Sequence, residues 1–562
     1  MKLLCFWLSL CVSWTSLAEE ADLESLLGAS GASSTGTTGV IPGMAKNIVA
    51  QFWLQQMSGK GLSSIHGEFL QHLNEERWVQ AFIQLPEARS QLSKKLSKND
   101  EQALEAWLLF RTGLRAYALQ RFLQIEDPSE IHPTLLQAWM QELPGLDDAA
   151  WILSPKMMSK KWLEVLGPQL YARIQLASVV DKAHRRDWQE WESRLIAGSP
   201  ESLLAAWFVA LDQLGQGQTQ EAAKRINMLL KLSEKNPKLL EPLGLSRDLM
   251  YLTAGRMLYQ AGLLEPAIQY YDKVSTRSDE WLWSREEIAW AYLRLGRPEK
   301  ALAKAWEQTQ LNMSGWVKPE SFLVNAVSAL RVCDYPKVAE SLDAFKKVFQ
   351  PRYQSMRELA DKGIEESLLT DVKKMYKSQF VLRLKEVGLL AHRLPLAFYK
   401  SSSLRRLLLG EEQVNREISL AGQLYTQSLS QGLVARFENI RQALTQEKDR
   451  INTQVKQHFK TMAEREVQFI KETLGRLHVV EAELLTHVKL KNRLLSNQGP
   501  DSRGLSPQTS ADAKGAFIFK ATQELWFDEL GHYEFQVKDA CRPKGEMQAK
   551  EQKKQVPEAS VR

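Results

Sequence analysis

From Ala45 to about Gln350, apolar residues recur every three or four positions, and short polar punctuation such as "LPEARS", "LPGLDD", "AGSPES" and "KNPK" breaks the pattern at brief intervals. That periodicity predicts amphipathic helices joined by tight turns, and the region holds no alternating β-branched run that would make a strand. The fold class expected is all-α. Beyond Pro351 the pattern changes. No proline occurs between Pro395 and Pro500, and Val414 to Leu495 reads as one continuous helix. Its apolar stripe runs through Phe437, Ile440, Leu444, Ile451, Val455, Phe459, Met462, Ile470, Leu474, Leu477, Leu484 and Val488. The spacing stays near ~3.6 residues per turn, which favours a nearly straight helix over a strict heptad supercoil. Glu447, Glu466 and Glu481 interrupt the stripe. Something must cover it. Either a second copy does so through residues 411–495, making a homo-oligomer, or the helices of residues 352–410 fold antiparallel against it, with a reversal between Pro395 and Gly432.

An internal period lies within the first region. "YLTAGRMLYQAGLLEPAIQYYDKV" carries Gly255, Gly262, Ala267 and Tyr271, and "IAWAYLRLGRPEKALAKA" carries Ala289, Tyr292, Gly296 and Ala301, with 34 residues from Ala267 to Ala301. A third unit, "FLVNAVSALRVCDYPKVAESLDAF", has Ala326, Tyr335 and Val338, with Cys333 where the turn glycine belongs. Close helix crossings need small residues at Gly255/Ala267 and Ala289/Ala301, with bulky neighbours such as Tyr271 and Tyr292 filling the sides. Weaker units precede these at Gly217/Ala222, Trp188/Trp191 and Trp78/Ala81.

These units resemble tetratricopeptide repeats. With the long helix and the closing "WFDELGHYEF", the chain also looks like a group of exported bacterial proteins that carry such repeats. The resemblance implies an α-solenoid over 45–350, followed by a long helical or coiled-coil hairpin over 351–495. It also implies a partner-binding groove lined by Arg256, Tyr259 and Gln260, then Trp290, Leu293 and Arg294, then Val327, Leu330 and Arg331. Arg256, Arg294 and Arg331 would form a basic row beside Tyr259 and Trp290, suited to an acidic or C-terminal protein or peptide segment. The Lys and Asn pattern that clamps a terminal carboxylate in such repeats is absent, so that ligand does not carry over.

The 562 residues include 73 basic and 67 acidic ones, a net charge of +6 spread along the chain, which argues against nucleic acid as a partner. The N-terminus "MKLLCFWLSLCVSWTSLAEE" has the charge, apolar run and small residues of a secretory signal over 1–18, cleaved after Ala18. No apolar run reaches membrane-spanning length. The expected location is the periplasm or cell envelope, or outside the cell. Residues 19–44 and 496–515 read as linkers, 516–541 as an aromatic docking segment and 542–562 as a disordered tail. Cys333 and Cys541 remain after cleavage, either as a disulfide or as two buried thiols.

Motifs for chemistry are missing. No histidine pair has metalloprotease spacing, two cysteines cannot build a cysteine-rich zinc site, and neither a phosphate loop nor a Gly-x-Ser-x-Gly elbow occurs. No cofactor or metal is expected. Paired carboxylates such as Glu286/Glu287 and Asp528/Glu529 read as surface residues. The expected function is a non-enzymatic adaptor of the bacterial envelope. A self-associating spacer built on the long helix and a cell-wall hydrolase are the alternatives.

Overall fold

In the computed structural model of the chain, the described residues are 47–57, 63–92, 96–146, 161–178, 188–236, 245–309, 316–378, 388–396, 398–427, 431–495 and the pairs 508–509 and 533–534. The fold is all-α, and the two pairs form a short antiparallel ladder with Gln508 opposite Glu534 and Thr509 opposite Tyr533. The expected signal, the 19–44 linker, Cys541, nearly all of 516–541 and the tail lie outside the described residues.

The helices are α1 (Ile48–Gln56), α2 (Ser64–Asn74), α3 (Trp78–Ser90), α4 (Lys98–Arg111), α5 (Arg115–Leu123), α6 (Pro133–Glu142), α7 (Lys161–Ser178) and α8 (Trp188–Glu192). There follow α9 (Pro200–Gly215), α10 (Thr219–Lys235), α11 (Arg247–Gln260), α12 (Leu264–Asp272), α13 (Trp281–Arg294) and α14 (Pro298–Thr309). The last are α15 (Pro319–Arg331), α16 (Tyr335–Lys362), α17 (Glu366–Ser378), α18 (Ser402–Gln427) and α19 (Gln431–Leu495).

One turn recurs between paired helices. Glu76, Gly113, Gly217, Gly262, Gly296 and Cys333 all have positive φ, between 56° and 102°. The amide of the following residue reaches back to a carbonyl five positions earlier, as in Arg77 to His72 at 2.9 Å, Leu263 to Leu258 at 2.9 Å, Arg297 to Tyr292 at 2.9 Å and Asp334 to Ala329 at 2.9 Å. This is the Schellman closure, which satisfies carbonyls left over at a helix end and favours glycine at the left-handed position. Five residues after each such position stands a side chain with no exposed surface: Ala81, Ala118, Ala222, Ala267, Ala301 and Val338. Each packs at the start of the second helix, where the turn brings the two helices together.

Successive helices pack on one another: α2 on α3, α3 on α4, α4 on α5, then α9 on α10, α10 on α11, and onward through α12, α13, α14 and α15 to α16. The second strand residues, Tyr533–Glu534, lie against α14. Cys333 is disulfide-bonded. Its expected partner, Cys541, falls outside the described residues.

Two expectations about boundaries need correction. Helix α16 runs through Pro351 without ending there, so the helical series does not close at residue 350. The stretch from Val414 is two helices, since α18 stops at Gln427 and α19 begins at Gln431. The hydrophobic period continues across this break, which is why periodicity alone reads it as continuous. The two helices pack along each other, and Ser401 meets His458 at 2.7 Å, so α18 and α19 form an antiparallel hairpin.

That hairpin buries the stripe within one chain. Phe437, Ile440, Leu444, Ile451, Val455, Phe459 and Met462 share a core with α1–α7 and with residues from α16, α17 and α18. Ile470, Leu477 and Leu484 pack instead on α15 and α16. The acidic interruptions are all paired: Glu447 with Arg450, Glu466 with Arg352 and Glu481 with Lys346. Arg352 and Glu466 are both buried, and the surrounding groups complete their bonding. Arg352 Nη1 donates to the Ala391 carbonyl at 2.7 Å, Nη2 to that of Leu394 at 2.9 Å, and the Leu396 amide donates to Glu466 Oε2 at 2.8 Å. A buried ion pair is tolerated when its remaining donors and acceptors are satisfied in this way.

Candidate functional site

The expected groove residues lie on α11, α13 and α15. Between α11 and α12, Gly255 leaves no room for a side chain: a Cβ there would fall well inside 3.0 Å of the Tyr271 ring. Tyr271 is buried, and burial, with Glu287 beside it, pushes its phenol up. The close approach carries Arg256 to α13. Its Nε donates to Glu287 Oε1 at 2.9 Å and to Oε2 at 3.1 Å, while Nη2 reaches Oε1 at 2.6 Å. Arg256 is thus already engaged in a forked pair with a carboxylate of its own chain.

Arg294 stacks over Tyr259 at 4.7 Å and donates to that residue's carbonyl at 3.4 Å. Gln260, Arg294 and Arg331 are exposed. Trp290 is half-buried, packing against the core shared by α15, α16 and α19. The structure thereby brings Arg256, Tyr259 and Arg294 together along the α11–α13 edge, and sets Arg331 in the last turn of α15.

Sequence reasoning missed the start of this face. Trp283, Glu287, Trp290 and Arg294 follow one another at helical spacing and share one side of α13. Trp283 stands seven residues before Trp290, a signal available in the sequence. Over it lies Lys400 of the Phe398–Lys400 turn, with Nζ 3.7 Å from the Trp283 ring centroid and 2.9 Å from Glu280 Oε1. Lys318 approaches the same ring at 5.1 Å. Burial, together with nearby Arg256, lowers the Lys400 pKa. Burial also opposes the Glu280 charge, but Lys400 and the Ser278 hydroxyl outweigh it and hold the carboxyl below its usual range.

The pair Glu286/Glu287 is not a surface pair. Glu286 is buried, accepts from the Ser321 hydroxyl at 2.7 Å and faces Lys318 at 3.6 Å. Burial raises its pKa. Glu287 turns the other way, toward Arg256, so the two carboxylates do not face a common cleft. Among the described residues, no group of three or more His, Cys, Asp or Glu side chains is arranged to hold a metal ion. No helix among them is long and apolar enough to cross a membrane. No protein-family model matches this chain, and no curated protein matches it.

Proposed function

We propose that this chain is an exported, non-enzymatic adaptor of the bacterial envelope that binds a protein or peptide on the α11–α15 face. The observation that carries this reading is the recurring turn, in which a left-handed residue is followed five positions later by a fully buried alanine or, after Cys333, by a fully buried valine. Repeated helix pairs of this kind support the resemblance to tetratricopeptide repeats, and stacked repeats use extended surfaces for binding. Trp283, Trp290 and Arg294 supply on one helix face the residue types most enriched at binding hot spots. The N-terminal signal pattern supports export.

The test is a photo-crosslinking residue at Gln260 or Arg294 in living cells, with one at exposed Lys300 as control. The same foreign protein captured from both test positions and not from Lys300 is the expected result. Capture of nothing, or equal capture from all three positions, contradicts the adaptor.

A further inference from the structure

The Phe398–Lys400 turn is held from behind. Phe398 is buried in the core beside Phe459, its carbonyl accepts from the Tyr376 hydroxyl at 3.2 Å, and Tyr399 is buried too. Lys400 reaches forward onto α13 and ends between a carboxylate and an indole face. That is the chemistry that recognises an alkylammonium or guanidinium group: a cation over a tryptophan ring, with a carboxylate to take its hydrogen bonds. The site keeps some access to solvent, since the Lys400 side chain is 23% exposed and that of Glu280 15%. A further acidic group stands nearby at Asp279, whereas Arg256, the expected receiver of an acidic ligand, is spent on Glu287.

We propose that Lys400 is an intramolecular occupant of a cation-reading subsite formed by Glu280 and Trp283, and that the partner of this face presents a lysine or arginine there. Partner binding and the Lys400 contact are then mutually exclusive. The inference deepens the adaptor reading and rests on it. It replaces an acidic partner segment with a basic one. A tethered side chain acts at an effective concentration on the order of mM, so a free cationic ligand displaces it only when added well above that concentration. A partner with further contacts along Trp290 and Arg294 needs no such excess.

The test uses the full chain and N-acetyl-lysine N-methylamide as probe, with binding followed by saturation-transfer NMR. Lys400→Ala is expected to bind the probe at least ~10-fold more tightly than the wild type, because the competing tether is gone. Adding Glu280→Gln to that variant should abolish the gain. Equal binding by Lys400→Ala and wild type, or a gain indifferent to Glu280→Gln, overturns the proposal. A second measurement needs no variant: acetylation of Lys400 in the wild type, read by mass spectrometry, should rise saturably when capped tetra-arginine is added. No rise overturns the proposal equally. Capture of a partner at Gln260 and Arg294 with no probe binding sinks this inference alone, whereas probe binding without capture in cells sinks the adaptor.

Discussion

At the scale of single residues, the chain places its exceptions where the backbone demands them. Gly255 is needed for space and Gly296 for its φ of +70°. Cys333 shows the second demand from the other side. It stands at the glycine position of its unit with φ +57°, in a region most side chains avoid, and it is also disulfide-bonded. Gly255→Ala separates space from conformation. Alanine gains about 1 kcal/mol of helix propensity over glycine, yet overpacking against Tyr271 costs typically 1–3 kcal/mol. The net expectation in urea unfolding is a loss of up to about 2 kcal/mol, partly restored by adding Tyr271→Leu. A stabilised Gly255→Ala would show that α11 and α12 do not cross as described. These residues were legible in the sequence because each follows from a local steric rule. Glu76 was not, since nothing about a glutamate announces a left-handed backbone.

At the scale of elements, the helix pairs could be read where a glycine and a small residue stand five apart, as at Gly262/Ala267 and Gly296/Ala301. The pair Gly113/Ala118 has the same spacing, and Phe110 and Phe122 stand around it at the offsets of Tyr259 and Tyr271, so it is as legible as the clearer units although it is not among the units read above. What no local rule announces is how distant elements cap one another. Helix α5 has no side-chain cap of its own at Leu114. The carboxylate of Glu417, on α18, fills that role by accepting from the Ala116 amide at 2.7 Å and from the Tyr117 amide at 3.0 Å. An anion at a helix N-terminus meets both the unpaired amides and the positive end of the helix dipole. Gly113 fits the same junction, since a Cβ there would meet Leu420 at 2.9 Å. Glu417→Ala should lower stability by roughly 2 kcal/mol, the usual worth of hydrogen bonds to a charged group. Glu417→Gln should cost less, since it keeps one acceptor. An unchanged unfolding midpoint for Glu417→Ala would mean that α18 does not cap α5.

At the scale of the whole molecule, the hairpin ties the early and late parts of the helical series together. Near its start, α19 places Arg436 at 4.1 Å over the Phe82 ring, with Nη1 donating to the Phe82 carbonyl at 3.1 Å and Nη2 to Glu105 at 2.8 Å. Near its end, Arg476 meets Glu320 at 3.2 Å and His487 stacks on Tyr335 at 6.0 Å. At 1.5 Å per residue, the helix from Arg436 to Arg476 spans about 60 Å. One rigid element therefore contacts α3 and α4 at one end and α15 and α16 at the other, and Lys400 adds a third tie at α13. The sequence showed that the stripe on α19 had to be covered. It did not show by what, since a second copy and the chain's own helices offer the same apolar chemistry.

The most direct test of this closure is a spin-label distance between exposed Gln80 on α3 and exposed Asn439 on α19. The expected result is a short, narrow distance in the doubly labelled chain, unchanged on dilution with unlabelled protein and absent from a mixture of the two singly labelled chains. A distance that appears in the mixture, or vanishes on dilution, would place the hairpin of one copy on the helices of another and contradict it.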